Sequence, residues 1–185
     1  MADYYLTTPL KDEDVAQLRV GDMVYLSGTV YTARDAAHKR MAAMRENGEE
    51  LPIPLEGAVL FYVGPTPPPP GRPIGATTPT SAYRMDAFAP LFHSWGVKGS
   101  IGKGKRSDAF RQSLQDHTAV YLCGPSGAGA FLSRAVKEVE FVAFPELGPE
   151  AVRKFVLKDM PLVVFYDSVG GNIFVEPDLK AVGLE

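Results

Sequence analysis

The second half of the sequence alternates short apolar runs with segments of helical spacing, and this order restricts the fold more than any other feature. Apolar runs at residues 118–122 and 139–143 predict two buried strands, with a helix at 129–137 between them. Residues 148–154 are a short helix candidate, and 162–166 form a third strand-type run. Because a strand, a helix and a strand in succession favour parallel pairing through a helical crossover, we expect an α/β fold with a mainly parallel sheet.

The first half contains the same two kinds of element. Apolar runs predict strands at 22–29 and 58–63. Thr32 followed by Asp35 resembles a capping box and predicts the start of a helix, and Gly48 is its predicted stop. A helix is therefore expected directly after the first of these strands.

A proline-rich stretch at residues 64–73 separates the two halves. Such a stretch is either a stiff interdomain linker or a surface loop. Because either half alone is small for a hydrophobic core, we interpret it as a loop and expect one domain over residues 1–185. The Gly-Gly-Asn sequence at 170–172 predicts a hairpin turn, and residues 1–5 and 176–185 are expected to be loose ends.

The composition is that of a globular protein, with 45% hydrophobic and 22% charged residues. The net charge of -3 and the pI near 5.7 argue against a surface built for nucleic acid. No apolar run approaches the roughly 20 residues needed to cross a bilayer, and the first residues lack the pattern of a signal peptide. We therefore expect a cytoplasmic protein that binds neither nucleic acid nor membrane.

The sequence contains a single cysteine, Cys123. One cysteine forms no internal disulfide and cannot alone hold an iron–sulfur cluster or a structural zinc ion. His38, His93 and His117 are scattered without metal-ligand spacing. We therefore expect no metal ligands here, and any metal chemistry would depend mostly on another chain.

Arg34 lies in the first turn of the helix predicted after Thr32. The helix dipole disfavours a cation at this end. An arginine fits the position when it and the free backbone N–H groups share an anion. The alternative is a solvated arginine that pairs with Asp35.

Residues 75–86 form a loop of small and hydroxyl-bearing residues that leads to Arg84. The hydroxyls of Thr80 and Ser81 and the backbone N–H groups can bind carboxylate or phosphate oxygens, and Arg84 can add a bidentate contact. The alternative is a structural turn that caps a helix.

Residues 101–104, Ile-Gly-Lys-Gly, invite comparison with a phosphate loop but lack its spacing of Gly, four residues and Gly-Lys-Ser/Thr. The glycines still allow a ligand to approach the backbone, with Lys103 as a point charge, and a plain basic turn is the alternative. The glycine-rich turn at 123–129 predicts close packing of a strand against a helix. A nucleophilic Cys123 is a minor alternative because no histidine or acid lies near it in sequence.

Three of these segments, in this order, resemble one family. Residues 27–38, Ser-Gly-Thr-Val-Tyr-Thr-Ala-Arg-Asp-Ala-Ala-His, are similar to a segment of that family, and 79–86 resemble its Pro-Thr-Thr-x-x-Arg-Met-Asp segment. Residues 101–104 resemble its Gly-Lys-Gly turn, and residues 148–151 and 167–172 also fit. The likeness covers nearly the whole chain and identifies it as a member of the class I fumarase and L(+)-tartrate dehydratase type of hydro-lyase. It is most similar to the beta subunit of a fumarate hydratase.

The resemblance implies a single three-layer β/β/α swivelling-type domain. It also implies an alpha subunit whose cysteines hold a 4Fe-4S cluster, and an active site at the junction of the two chains. The pair would form a heterodimer or a dimer of heterodimers, in which this chain binds no cofactor itself. The implied reaction is the reversible addition of water to fumarate, a small dicarboxylate, to give malate.

The resemblance further implies roles for individual residues. Arg34 and Arg84 match carboxylate-binding arginines, and Lys103 matches a lysine that binds substrate and is a catalytic candidate. Thr80 matches a threonine proposed to act at the C–H proton, and Ser81 keeps the hydroxyl of the second family threonine. A threonine hydroxyl is a poor base at its ordinary pKa, so an acid of the alpha subunit is the alternative.

Two departures from the family pattern leave the substrate open. Tyr83 stands where a small residue is common and predicts a tighter pocket, and the proline run at 67–70 is unusual. L(+)-tartrate and methylated dicarboxylates are therefore alternatives to fumarate. A non-catalytic dicarboxylate-binding or assembly module is an alternative of another class, against which the joint presence of the matched residues argues.

Overall fold

The computed structural model describes residues 1–125 and 127–174. Its strands are β1 (Asp3–Thr7), β2 (Met23–Thr32), β3 (Val59–Phe61), β4 (Gly99–Gly102), β5 (Val120–Cys123), β6 (Val136–Ala143) and β7 (Val152–Tyr166). Its α-helices are α1 (Asp12–Ala16), α2 (Asp35–Glu46), α3 (Ala89–Ser94), α4 (Asp108–Asp116) and α5 (Gly129–Leu132). Short 3-10 helices cover Ala82–Met85, Ser133–Ala135 and Pro145–Glu150.

All of these strands belong to one mixed sheet, in the order β1-β2-β3-β4-β5-β7-β6. Strands β1 to β5 run parallel to one another. Strand β7 runs antiparallel to β5 on one side and antiparallel to β2 on the other. These two pairings close β2, β3, β4, β5 and β7 into a five-stranded barrel, with β1 and β6 attached outside the ring.

A bulge allows β7 to reach both partners. The strand is 15 residues long, and Asp159 near its middle has a positive φ of 48°. Its backbone N–H donates to Ser27 Oγ at 2.9 Å, beside a register shift between Leu26 and Gly28 in β2. Extra residues of this kind bend a strand and increase its twist, which barrel closure requires.

The interior of the barrel is apolar. Side chains from each barrel strand share one buried cluster, exemplified by Val24, Phe61, Ile101, Leu122 and Phe155. Because successive side chains of a strand point to opposite faces, the intervening residues point outward.

The outward residues pack beneath the helices and form a second buried cluster. Leu60 of β3 and Tyr121 of β5 belong to this cluster, together with Met41 of α2, Phe92 of α3 and Leu114 of α4. The fold is therefore a mixed α/β arrangement in which a barrel carries helices on its outer surface.

The expectation of a mainly parallel sheet holds for β1 to β5 and is wrong for the end of the chain. β6 pairs antiparallel with β7 and not with β5. The helix predicted at 129–137 ends at Leu132, and β6 begins at Val136 after a 3-10 turn. So short a helix cannot carry the chain back across the sheet for a parallel pairing.

Two other local predictions are wrong. The segment predicted as a helix at 148–154 is the end of a 3-10 helix followed by the start of β7. Residues 1–5 are not a loose end, because β1 pairs along its length with β2. The other predicted loose end, 176–185, lies outside the described residues.

The turn predicted at 170–172 is closed by an antiparallel bridge between Tyr166 and Asn172. None of the helices in the described ranges is long and apolar enough to span a membrane.

Two buried histidines lie between the barrel and the helices. His38 Nδ1 is 2.8 Å from the carbonyl oxygen of Arg34, and its ring packs against Phe92. Burial lowers the pKa of His38 to about 4 and that of His93 to about 3, and the positive charge of Arg106 adds to both shifts. Both histidines are therefore neutral packing residues at physiological pH.

We expect the free energy of unfolding to fall as the pH drops from about 6.5 toward 4. The unfolded chain takes up protons near the ordinary histidine pKa, whereas the folded chain resists them until the lowered values are reached. The loss between pH 7 and 5 should be roughly 2 kcal/mol for each histidine. Urea unfolding at pH 7 and pH 5 measures this loss of free energy. His93→Gln should reduce the loss by about half, because only His38 then contributes. An unfolding free energy equal at both pH values would contradict the assignment.

Candidate active site

Arg34 and Lys103 each follow a strand of the parallel part of the barrel. β2 ends at Thr32, two residues before Arg34, and β4 ends at Gly102, directly before Lys103. β2, β3 and β4 are parallel neighbours, so their carboxyl ends lie at the same edge of the barrel. Both cations predicted from the sequence therefore reach this edge.

The loop with Thr80 and Ser81 crosses the same edge and is hydrogen-bonded on both sides. The Thr80 N–H donates to the carbonyl of Tyr62, just after β3, at 2.7 Å. On the other side, the Lys103 N–H donates to the Thr80 carbonyl at 3.2 Å, and the Ala82 N–H donates to the Lys103 carbonyl at 3.0 Å. These bonds place Ser81 beside Lys103 in a short parallel bridge.

Arg84 is held near the start of α2 by an ion pair. Its Nη1 lies 3.4 Å from Asp35 Oδ2, and Asp35 directly follows Arg34 in the chain. The two arginines therefore approach the same end of one helix. The Arg84 side chain is 37% exposed and that of Arg34 is 19% exposed, so Arg84 is the more accessible of the two.

Arg34 pairs with Glu150 and not with Asp35. Its Nη2 lies 3.2 Å from Glu150 Oε1. The other carboxylate oxygen of Glu150 accepts a hydrogen bond from the Ala36 N–H, in the first turn of α2, at 3.2 Å. The anion that lies between Arg34 and the helix N-terminus is thus a carboxylate of the chain itself, and binding of a ligand anion by Arg34 stays a prediction.

A third ion pair, between Asp86 and Arg106, joins the segment of Arg84 to the segment of Lys103. The Asp86 carboxylate accepts hydrogen bonds from Arg106 Nε and, at 2.6 Å, from the Ser107 N–H. The Arg106 side chain is fully buried, and its guanidinium carbon lies 3.3 Å from the centroid of the Phe110 ring. This pair fixes the spacing between the two loops.

Sequence reasoning missed the contacts of Glu150 and Arg106. The Glu150 contact with Ala36 spans 114 positions and the Arg106 contact with Asp86 spans 20, so no local periodicity reports either of them. The one available signal was the group of charged residues near the predicted loops. It could have suggested that Asp86 forms an ion pair with one of the nearby basic residues.

An apolar cleft of about 470 Å³ lies beside Lys103 and Ser81. Cys123 and Phe165 contribute to its walls. Tyr83, which the sequence predicts to narrow the pocket, is 65% exposed and does not line this cleft. Of the three predicted cations, Lys103 lines this cleft, whereas Arg34 and Arg84 do not. The cleft is large enough for a small organic molecule.

Cys123 lacks the features of a nucleophile. Burial raises the pKa of its thiol to about 11 despite the nearby charge of Lys103, so it stays protonated at neutral pH. Within residues 1–125 and 127–174, no group of three or more histidine, cysteine or acidic side chains could hold a metal ion. An iron–sulfur cluster therefore does not fit the described residues of this chain.

The fold and this edge define an α/β barrel that gathers cationic and hydroxyl side chains at the carboxyl ends of its parallel strands. Comparison with known families gives a match to the family described as "Fumarase C-terminus" over residues 3–177. The chain belongs to this family.

Individual relatives are similar over most of the chain. It is 37% identical to "Fumarate hydratase 2" of Leishmania major over 164 residues, covering 88% of this chain and 29% of that protein. It is 35% identical to "Putative L(+)-tartrate dehydratase subunit beta" of Methanocaldococcus jannaschii over 184 residues, covering 95% and 93%. It is 34% identical to "L(+)-tartrate dehydratase subunit beta" of Escherichia coli (strain K12) over 176 residues, covering 92% and 86%. The chain thus spans less than a third of the fumarate hydratase and most of the two beta subunits.

We expect Asp86→Asn to destabilise the fold strongly. The substitution leaves the buried Arg106 cation without its charge partner, which typically costs about 3–5 kcal/mol. Asp108→Asn is the matched control, because Asp108 is 92% exposed and pairs with Arg111 at the surface, where such a pair contributes about 1 kcal/mol or less. Urea unfolding of both variants measures the difference, and equally small losses would contradict the role of the Asp86–Arg106 pair.

Proposed function

We propose that this chain is the beta subunit of an iron–sulfur hydro-lyase that reversibly adds water to fumarate to give malate. The observation that carries the proposal is the arrangement of Arg34, Arg84 and Lys103 on loops that meet at one edge of the barrel. The names of the relatives support it, since they are a fumarate hydratase and beta subunits of tartrate dehydratase.

Arg34 and Arg84 are assigned to the two substrate carboxylates. An arginine has five N–H donors, so each can keep its own acid and still bind a substrate carboxylate. Their pairing with Glu150 and Asp35 holds both guanidinium groups in place before substrate arrives. Preorganised binding groups of this kind lower the entropic cost of reaching the reactive geometry.

Lys103 and Thr80 are assigned to the reacting carbons. In the dehydration of malate, a C–H bond next to one carboxylate breaks, and that carboxylate takes on aci-carboxylate character as negative charge builds up. Lys103 and the arginines stabilise this charge. Thr80, which is hydrogen-bonded through its backbone to Lys103, is one candidate for accepting the proton, and an acid of the alpha subunit is the other. Ser81 adds a hydroxyl that can hydrogen-bond to the substrate.

The alpha subunit is assigned the 4Fe-4S cluster. We propose that it forms a heterodimer or a dimer of heterodimers with this chain, and the names of two relatives as beta subunits support such a partner. A cluster with an open iron supplies Lewis acidity toward a substrate hydroxyl. The cationic edge of this chain is the half of the site that binds carboxylates. We also propose that the chain forms one domain with the three-layer β/β/α swivelling arrangement.

L(+)-tartrate is the second candidate substrate. The chain spans 93% and 86% of two relatives named as tartrate dehydratase beta subunits, whereas it spans 29% of the fumarate hydratase. Tartrate also carries two carboxylates, so the same two arginines would bind it. The order of activity on fumarate, malate and tartrate decides between the two.

The test is to mix this chain with its candidate alpha partner under anaerobic conditions with iron and sulfide, and to measure hydration of fumarate and dehydration of malate and L(+)-tartrate. Activity in the mixture and in neither chain alone supports the two-chain enzyme. A cluster-loaded complex that binds dicarboxylates without turnover would instead favour the non-catalytic binding module.

In this mixture, Arg84→Ala should lower kcat/KM by about 100-fold or more, because a charged contact to the carboxylate is lost. Cys123→Ser is the matched control and should keep most of the activity, since the buried thiol has no assigned role. Complete loss of activity in a folded Cys123→Ser protein would contradict the site as assigned.

A further inference from the structure

Glu150 connects two groups at the start of α2 that lie far from it in sequence. It is the last residue of the 3-10 helix Pro145–Glu150, and Ala151 separates it from the start of β7. One carboxylate oxygen lies 3.2 Å from Arg34 Nη2, and the other accepts a hydrogen bond from the Ala36 N–H at 3.2 Å. A single side chain therefore contacts both the guanidinium of Arg34 and the backbone next to it.

Glu150 also adds a negative charge at the start of α2, where Asp35 is already present and pairs with Arg84. Arg34 is the N-cap residue, has an extended backbone with φ of −123°, and makes no side-chain capping hydrogen bond. A helix N-terminus with an arginine at the cap combines free N–H groups with an unfavourable positive charge. Glu150 supplies an acceptor and a further negative charge, from another part of the chain.

The Arg34 guanidinium is confined from a second side by Gly64. A Cβ atom at Gly64 would lie only 2.6 Å from Arg34 Nη1. Glu150 contacts Nη2, and the Arg34 side chain is only 19% exposed. The guanidinium therefore lies between the Gly64 backbone and the Glu150 carboxylate, with little freedom to change rotamer.

We propose that Glu150 is the positioning residue that orients Arg34 for binding a substrate carboxylate. The inference rests on the proposed function, in which Arg34 is one of the two carboxylate-binding arginines. A guanidinium held in its binding orientation loses less rotamer freedom when the ligand binds, so it binds the ligand more tightly. In this proposal Glu150 does not contact the substrate, and its effect on substrate binding passes through Arg34.

Glu146 provides a matched control on the same 3-10 helix. It pairs with Arg40 at the surface, where both side chains are about half exposed, at 55% and 50%. Exposed pairs of this kind contribute little to stability. Glu146→Gln therefore removes the same charge from the same short segment without touching Arg34.

The experiment compares Glu150→Gln with Glu146→Gln in the reconstituted complex. Glutamine keeps an acceptor for the Ala36 N–H but loses the charge that holds Arg34. Isothermal titration with succinate, a dicarboxylate that cannot be hydrated, should give a Kd at least tenfold higher than wild type for Glu150→Gln. For Glu146→Gln, the Kd should stay within twofold. In the fumarate assay, Glu150→Gln should raise KM more than it lowers kcat.

A double-mutant cycle separates positioning from general destabilisation. In an Arg34→Ala background, Glu150→Gln should cause no further loss of succinate affinity, because the residue through which it acts is gone. An unchanged Kd for Glu150→Gln, or an equal further loss in the Arg34→Ala background, would overturn the inference.

Gly64→Ala provides an independent variant in case Glu150→Gln folds poorly. The added methyl group would meet the flexible end of Arg34 and displace the guanidinium while Glu150 remains intact. It should weaken succinate binding at least tenfold, and unchanged binding would also overturn the inference. A wild-type complex that binds succinate but turns over none of the three substrates would reject the proposed reaction. The effect of Glu150 on succinate binding could still be measured in that complex.

Discussion

The antiparallel pairing of β7 with both β2 and β5 is the constraint on which the rest of the structure depends. It closes the ring and leaves the four strands β2 to β5 parallel, so that their carboxyl ends meet at one edge. Closure also removes the exposed edges of these strands and encloses an apolar interior, while the helices cover the outside. The loops at the carboxyl edge are then the natural place for polar side chains to converge.

Three ion pairs hold the segments at that edge together. Glu150 pairs with Arg34, Asp35 with Arg84, and Asp86 with Arg106, so each acid joins segments that are distant in sequence. The pairs are partly or fully shielded from water, where charge interactions are stronger than at the surface. The arginines that we propose to bind substrate are therefore already paired within their own chain. In the proposed complex, the alpha subunit would complete the site.

The sequence predicts local features of this fold well and the long-range pairing poorly. A strand before Arg34 and a helix after it are both predicted, but the predicted capping box is wrong. Arg34 is the N-cap residue, and the Thr32 hydroxyl instead donates to the Ala151 carbonyl and accepts from the Arg153 N–H. The loops with Arg84 and Lys103 follow from glycine and hydroxyl content. The antiparallel pairing of β6 could not be predicted, because it depends on α5 ending early and on the bend in β7. The contacts of Glu150 and Arg106 depend on closure of the barrel, which no local pattern reports.

The most direct test of the central claim is a crystal structure of the reconstituted complex with malate. The claim is that this chain supplies the carboxylate-binding half of a site completed by an alpha subunit. The account predicts malate at the junction of the two chains, with its carboxylates within hydrogen-bonding distance of Arg34 and Arg84, and with Glu150 still contacting Arg34. Malate bound without contact to either arginine, or wholly within one chain, would contradict the account.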